Sequence, residues 1–103
     1  MSVTVKYIYT SADGKEIVNF VDWSKTLSEA EQKEIANASA RYKVATKLKV
    51  NAGLLEISYT PELTYTWATQ EAADAGVGED PTWESYQARY LAENNIKLEI
   101  TKE

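Results

Sequence analysis

The sequence predicts an α+β fold: a small, mostly antiparallel sheet with an N-terminal hairpin, packed on one face by two helices. Three observations support this class. Segments in which β-forming residues alternate lie near both ends of the chain. Two other stretches carry the apolar spacing of amphipathic helices. The length of 103 residues, with 44% hydrophobic and 26% charged residues, fits a single domain over residues 1–103.

The hairpin is predicted from residues 3–10 and 16–23, two β-rich runs on either side of Asp13 and Gly14. An Asp-Gly pair between such runs is a strong signal for a tight turn. Because side chains alternate along a strand, one face of the first strand would carry Val3, Val5, Tyr7 and Tyr9.

The first long helix is predicted to begin near Thr26 or Ser28, either of which can cap it, with Glu29 and Glu31 close behind. Acidic residues in the first turn also suit the positive end of the helix dipole. Its apolar stripe would consist of Leu27, Ile35, Ala38, Tyr42, Ala45, Leu48 and Ala52.

The end of this helix has two interpretations. Residues 43–50 either continue the helix until Gly53 closes it, or alternate as a strand that pairs with residues 54–60. The long helix is favoured slightly, because a switch to strand at Tyr42 would need a turn in a stretch without turn residues.

The remaining elements are a strand, a short strand, one helical turn, a loop, a second helix and a last strand. The second helix has Asp80 as its cap and Pro81 at its first position, and it ends at Asn94 and Asn95. The others are predicted at residues 54–60, 64–67, 71–75, 76–80 and 96–101.

The chain has no His and no Cys, and ten of its eleven aromatic residues are Tyr or Trp. This composition excludes disulfides, thiolate zinc sites and a Ser-His-Asp triad. No glycine-rich phosphate loop is present, and the acids between Asp74 and Glu84 do not match the EF-hand spacing. We therefore expect no enzymatic activity, no catalytic residues, no metal and no cofactor.

The net charge of −5 is distributed unevenly. Residues 1–50 contain eight basic and six acidic side chains, whereas residues 51–103 contain three and ten. An acidic chain repels a phosphate backbone, so direct nucleic-acid binding is not expected, and the acidic segment 71–84 would steer the protein toward a basic partner. No segment has the ~20 apolar residues of a membrane span, and the start does not read as a signal peptide.

The candidate binding residues are the aromatic side chains near and on the second helix, with two neighbouring acids. Trp83, Tyr86 and Tyr90 recur at helical spacing, a pattern that is more typical of the core face of a helix. Trp and Tyr are also the residues that most often anchor protein interfaces. The complete predicted set is Tyr65, Trp67, Asp80, Trp83, Glu84, Tyr86 and Tyr90.

Residues 16–23 and 80–95 resemble small uncharacterised proteins of large tailed bacteriophages. The resemblance implies an accessory protein, either a virion component or an early protein that binds a host factor. It would then be found in the host cytoplasm or in the virion. It implies no site residues.

The leading hypothesis is a non-catalytic module that binds a host or virion protein. One alternative is a small-molecule or sugar-binding domain in which Tyr65, Trp67 and Trp83 stack on the ligand. Another is an acidic mimic of nucleic acid. The exposed edge of the first or last strand would allow a homo-oligomer to form across a two-fold axis.

Overall fold

The computed structural model describes residues 2–103 and confirms the α+β class. Met1, the first residue of the predicted domain, lies outside the described residues. Four antiparallel strands form one sheet, and four helices accompany it. In chain order the elements are β1 Val3–Ser11, α1 Phe20–Ser24, α2 Glu29–Asn51, β2 Leu55–Ser58, β3 Leu63–Trp67, α3 Gln70–Ala75, α4 Pro81–Glu93 and β4 Ile96–Lys102.

The strand order in the sheet is β2-β3-β1-β4. The N-terminal strand is therefore internal, with β3 on one side and β4 on the other. Val5 lies opposite Tyr65 of β3, and Tyr65 lies opposite Ile57 of β2. Of the two strands predicted to offer an exposed edge, the first is internal, whereas the last, β4, ends the sheet together with β2.

The predicted second strand of the N-terminal hairpin is also wrong. Residues 16–19 have no regular structure, and the helix α1 follows them. Asp13 closes a local turn after β1, since its Oδ1 accepts from the Ser11 hydroxyl at 2.8 Å and the Lys15 amide at 3.0 Å. Asn19 then caps α1 by accepting from the Asp22 amide at 2.9 Å.

The helix α2 begins with a capping box. The Glu31 amide donates to Ser28 Oγ at 3.2 Å, and the Ser28 amide donates back to Glu31 Oε1 at 3.2 Å. Of the two predicted caps the structure thus selects Ser28, while the Thr26 hydroxyl donates to the carbonyl oxygen of Trp23.

The helical interpretation of residues 43–50 is confirmed, because α2 continues to Asn51. The Gly53 amide donates to Val50 and the Leu54 amide donates to Lys49, both at 3.0 Å. These two bonds form a Schellman motif, in which Gly53 adopts the left-handed conformation with φ of 76°. The motif stops the helix and directs the chain into β2.

The apolar stripe of α2 is confirmed at its centre and wrong at its C-terminal end. Ile35 and Ala38 are buried, whereas Leu48 and Ala52 are exposed. Near that end the half-buried position is Lys49. Among residues 2–103, no helix is both long and apolar enough to cross a membrane.

The chain divides into two compact units, each built from separate segments. The sheet unit contains the residues up to Tyr9, Val44–Gly78 and Leu98–Glu103. The helical unit contains Thr10–Lys43 and Glu79–Lys97. The single domain over residues 1–103 stays a prediction.

Each unit has its own hydrophobic cluster. The sheet cluster consists of Val5, Leu55, Tyr65, Trp67 and Ala72, the last of which is supplied by α3. The helical cluster joins α1, α2, α4 and the first residue of β4 through Trp23, Ile35, Tyr90 and Ile96.

We predict that Ser28→Ala lowers the free energy of unfolding by about 1 kcal/mol, because it removes the side-chain acceptor of the capping box. Urea denaturation followed by circular dichroism measures the change. Ser28→Thr keeps the acceptor and should lose clearly less stability. Equal losses in the two variants would show that the cap contributes little.

We predict that Gly53→Val destabilises the protein by about 1–2 kcal/mol, since a β-branched residue is strained at positive φ. No atom lies within 4 Å of the Cβ that a substitution would add, so the cost is conformational and not steric. Gly53→Asn tolerates the left-handed region better and should be the milder variant in the same denaturation experiment. If Asn proves as harmful as Val, the conformational explanation fails.

Candidate functional site

The helix α4 starts as the sequence predicts, with Asp80 as its cap and Pro81 in its first turn. Asp80 Oδ1 accepts from the Trp83 amide at 3.2 Å. At the other end Asn95 has φ of 53°, the left-handed stop predicted for this position. The two ends fix which side chains α4 presents to the rest of the helical unit.

Trp83 lies between two other aromatic rings of the helical unit. Its ring stacks on Tyr42 with a centroid distance of 5.4 Å and an interplanar angle of 19°. Phe20 contacts it at 5.3 Å with the rings tilted by 59°. Trp83 and Tyr42 are both half-buried, so the stacked pair packs within the unit while part of it faces solvent.

A bidentate ion pair lies beside this stack. Arg41 Nε donates to Asp80 Oδ2 at 2.7 Å, and a terminal guanidinium nitrogen donates to Oδ1 at 3.2 Å. The hydrogen bonds from Arg41, followed by that from the Trp83 amide, hold the pKa of Asp80 below its usual range. Arg41 and Asp80 precede Tyr42 and Trp83 in the chain, so α2 and α4 are joined by an ionic contact next to an aromatic one.

Arg89 forms a second ionic network on α4. Its guanidinium donates to Glu31 and to Glu93, both at 2.5 Å, and lies 5.8 Å from the centroid of the Trp23 ring. Trp23 Nε1 also donates to Glu93 at 3.3 Å. The hydrogen bonds from Arg89 lower the pKa of both carboxyl groups, and they raise the pKa of Arg89 itself.

Tyr86 lies between these two networks on α4. Its hydroxyl donates to Glu34 Oε2 at 3.0 Å, and burial, followed by this carboxylate, raises the pKa of Tyr86. An open depression of about 350 Å³ lies here, lined by Glu34, Pro81, Thr82, Ser85, Tyr86 and Arg89.

The predicted binding residues fall into two groups. Asp80, Trp83 and Tyr86 are half-buried and Glu84 is exposed, all in the helical unit. Tyr65 and Trp67, at 7% and 4% exposed, lie inside the sheet cluster, and Tyr90, at 6%, lies inside the helical cluster.

Tyr65, Trp67 and Tyr90 thus have little exposed surface to offer a partner, and their role as binding residues stays a prediction. Tyr65 and Trp67 are two residues apart on β3, so their side chains lie on the same face and pack in the same cluster. The Tyr90 hydroxyl donates to the Val18 carbonyl oxygen at 2.5 Å, which satisfies its polar end inside the unit.

Sequence reasoning missed three residues that contact members of the predicted set: Glu34, Arg41 and Tyr42. The sequence pattern places Tyr42 in the apolar stripe of the first long helix. Arg41 and Asp80 are 39 positions apart, so no local pattern connects them. The sequence offered one usable signal nearby, the Arg89–Glu93 pair at a spacing of four on α4.

The described residues 2–103 contain no group of three or more acids placed to hold a metal ion. Comparison of the chain with protein-family models, with curated proteins and with solved structures finds no match. The resemblance to phage proteins thus gains no support here and stays a prediction.

We predict that the protein loses stability as the pH falls below about 4, the ordinary pKa range of Asp and Glu. Glu31, Asp80 and Glu93 have lowered pKa values in the folded state. Their contribution is therefore complete above the pKa of the unfolded chain and disappears as the pH falls through the folded-state values. Urea denaturation between neutral and acidic pH measures this loss.

Arg89→Met should flatten that pH profile, because Arg89 lowers two of the three pKa values. Lys25→Met is the matched control, since Lys25 is an exposed cation 3.8 Å from Asp22. A profile equally steep in wild type and Arg89→Met would contradict the assignment.

Proposed function

We propose that this chain is a non-catalytic protein-binding module whose partner contacts the helical unit around Trp83. We call this region the Trp83 surface and define it by Tyr42, Asp80, Trp83, Glu84 and Tyr86. The observation that carries the proposal is the half-buried Trp83 stacked on Tyr42 at 5.4 Å. A ring already fixed by its neighbours loses little conformational entropy on binding, which is why Trp and Tyr anchor interfaces.

The charges around this surface favour a basic partner. The helical unit contains ten acidic and seven basic side chains, a net charge of −3. Two of its cations, Arg41 and Arg89, already bind carboxylates within the unit. Glu79 and Glu84 are exposed near the start of α4, where they would accelerate association with a Lys- or Arg-rich surface.

The alternative of a sugar or small-molecule site loses much of its support. Two of its three stacking residues, Tyr65 and Trp67, are buried in the sheet cluster, which leaves Trp83 as a single platform. The depression beside Tyr86, at about 350 Å³, is at the lower end of ligand-site volumes and is open.

The acidic-mimic alternative is also weakened. A mimic of nucleic acid needs carboxylates that face outward at phosphate-like spacing. Glu31, Asp80 and Glu93 are instead hydrogen-bonded to arginines of the same unit. These paired carboxylates fit better in the polar rim of a protein interface that is anchored by aromatic side chains. If the resemblance to phage proteins holds, the partner is a host or virion protein.

Affinity capture from cells of the source or host tests the proposal. We expect wild type to retain a protein with a basic surface, and Glu84→Lys to retain at least about tenfold less, because a reversed rim charge opposes association. Glu56→Lys reverses an exposed charge in the sheet unit and should retain as much as wild type.

Trp83→Leu removes the stacked ring and tests it directly. Glu34→Gln is a second variant, which changes the carboxylate that Tyr86 contacts and leaves the aromatic stack intact. Circular dichroism establishes that each variant is folded. Retention that none of these substitutions changes, or the absence of any stoichiometric partner, would contradict the proposal.

A further inference from the structure

We propose that the open edge of β4 pairs with β4 of a second copy of this chain, antiparallel, about a two-fold axis at Ile100. The inference concerns the sheet unit and goes beyond the proposed function, which uses the helical unit. The partner at this edge is a second copy of the chain. The two four-stranded sheets would then join into one continuous sheet of eight strands.

One side of the β4 backbone is hydrogen-bonded to β1, and the other side forms the edge of the sheet. β4 is the last strand in the order β2-β3-β1-β4. The Thr4 amide donates to Glu103 at 3.0 Å, and the Glu103 amide donates to Thr4 at 2.7 Å. Since hydrogen-bonding direction alternates along an antiparallel strand, the backbone groups of Leu98, Ile100 and Lys102 point to the open edge.

The same edge exposes apolar side chains. The Thr4–Glu103 pairing places Tyr7 opposite Ile100 and Tyr9 opposite Leu98. Tyr7 packs against the sheet cluster, yet Ile100, on the same face, is 54% exposed. The apolar face thus continues to the edge without cover, a feature that invites edge-to-edge pairing.

Charge and burial select one register among those that join outward-facing backbone groups. A two-fold axis at Glu99 places that carboxylate opposite its own copy. An axis at Thr101 places Glu99 opposite Glu103, and an axis at Lys102 places two lysines together. Like charges directly opposite each other destabilise a sheet.

An axis at Leu98 satisfies the charges but requires Ile96 to face Ile100. Ile96 is 8% exposed and already belongs to the helical cluster. The preceding Asn95 has positive φ and is not extended. This register therefore has too short a stretch of available strand.

The axis at Ile100 avoids both problems. It places Ile100 opposite Ile100 and Leu98 opposite Lys102 as hydrogen-bonded pairs, with about six backbone hydrogen bonds in total. On the other face Lys97 meets Glu103, which also contacts Lys6 of its own chain at 3.4 Å, and Glu99 meets Thr101. The pairing thus extends the apolar face across the dimer and joins opposite charges.

The other edge of the sheet is a poorer candidate. β2 spans only Leu55–Ser58, and Pro61 follows three residues later. Short edge strands and nearby prolines are common devices that prevent pairing. β4, with seven residues, has no proline.

Disulfide trapping tests the register on the full chain, which contains no other cysteine. In the proposed dimer the two Ile100 Cα atoms are about 5.5 Å apart, a distance that a disulfide spans. Ile100→Cys should therefore form an interchain disulfide under mild oxidation. Leu98→Cys and Glu99→Cys should not, since neither residue faces its own copy. Cross-linking of either control as readily as Ile100→Cys would overturn the register.

Analytical ultracentrifugation tests the dimer itself, with Thr101 varied in two directions. Thr101→Lys places a cation opposite Glu99 of the second copy and should tighten the dimer, whereas Thr101→Glu should weaken it, each by about three- to tenfold in Kd. Within one chain Thr101 lies opposite Lys6, so the effects on monomer stability have the opposite sign. A change in the dimer Kd can therefore be distinguished from a change in monomer stability.

We expect a concentration-dependent dimer at concentrations on the order of 100 µM, because exposed strand hydrogen bonds contribute modestly to association. A protein that stays monomeric at these concentrations would overturn the proposal. A dimer whose Kd is the same in wild type and in both Thr101 variants would also overturn it. Dimerisation through β4 does not depend on whether a partner binds the Trp83 surface, so either proposal can be wrong while the other holds.

Discussion

Hydrogen bonding of β1 along both of its edges is the constraint on which the architecture depends. β1 pairs with β3 over Val3–Tyr7 and with β4 on its other side. A strand so occupied has no edge left for residues 16–23, which instead form a loop and the helix α1. The same pairing decides that β2 and β4 end the sheet, and it orients the backbone groups of β4 on which edge pairing would depend.

Several aromatic residues that pack in the helical unit also have a partner for their polar end. In the helical unit Trp23 donates to Glu93, Tyr86 donates to Glu34, and Tyr90 donates to a backbone carbonyl oxygen. Among residues 2–103 no buried side-chain nitrogen or oxygen lacks a hydrogen-bond partner. A chain without His and Cys thus builds its packing from large amphipathic rings at no cost in unsatisfied polar groups.

The features that the sequence predicted correctly are those decided within a few residues. The cap at Asp80, the stop at Asn95 and the Schellman glycine at Gly53 each depend on neighbours no more than five positions away. The partners of β1, the burial of Tyr65 and the pairing of Arg41 with Asp80 depend on residues far along the chain. Alternation and helical spacing indicate which residues face inward, but they do not say which distant segment they will meet.

Asp80 performs two tasks at once. As an N-cap it accepts from the Trp83 amide, and as an anion it binds Arg41 in a bidentate pair. Asn, Ser or Thr would keep the cap and lose the charge, while Glu would keep the charge on a stem too long for capping. Each of these replacements at position 80 would therefore cost either the cap of α4 or the ion pair with Arg41.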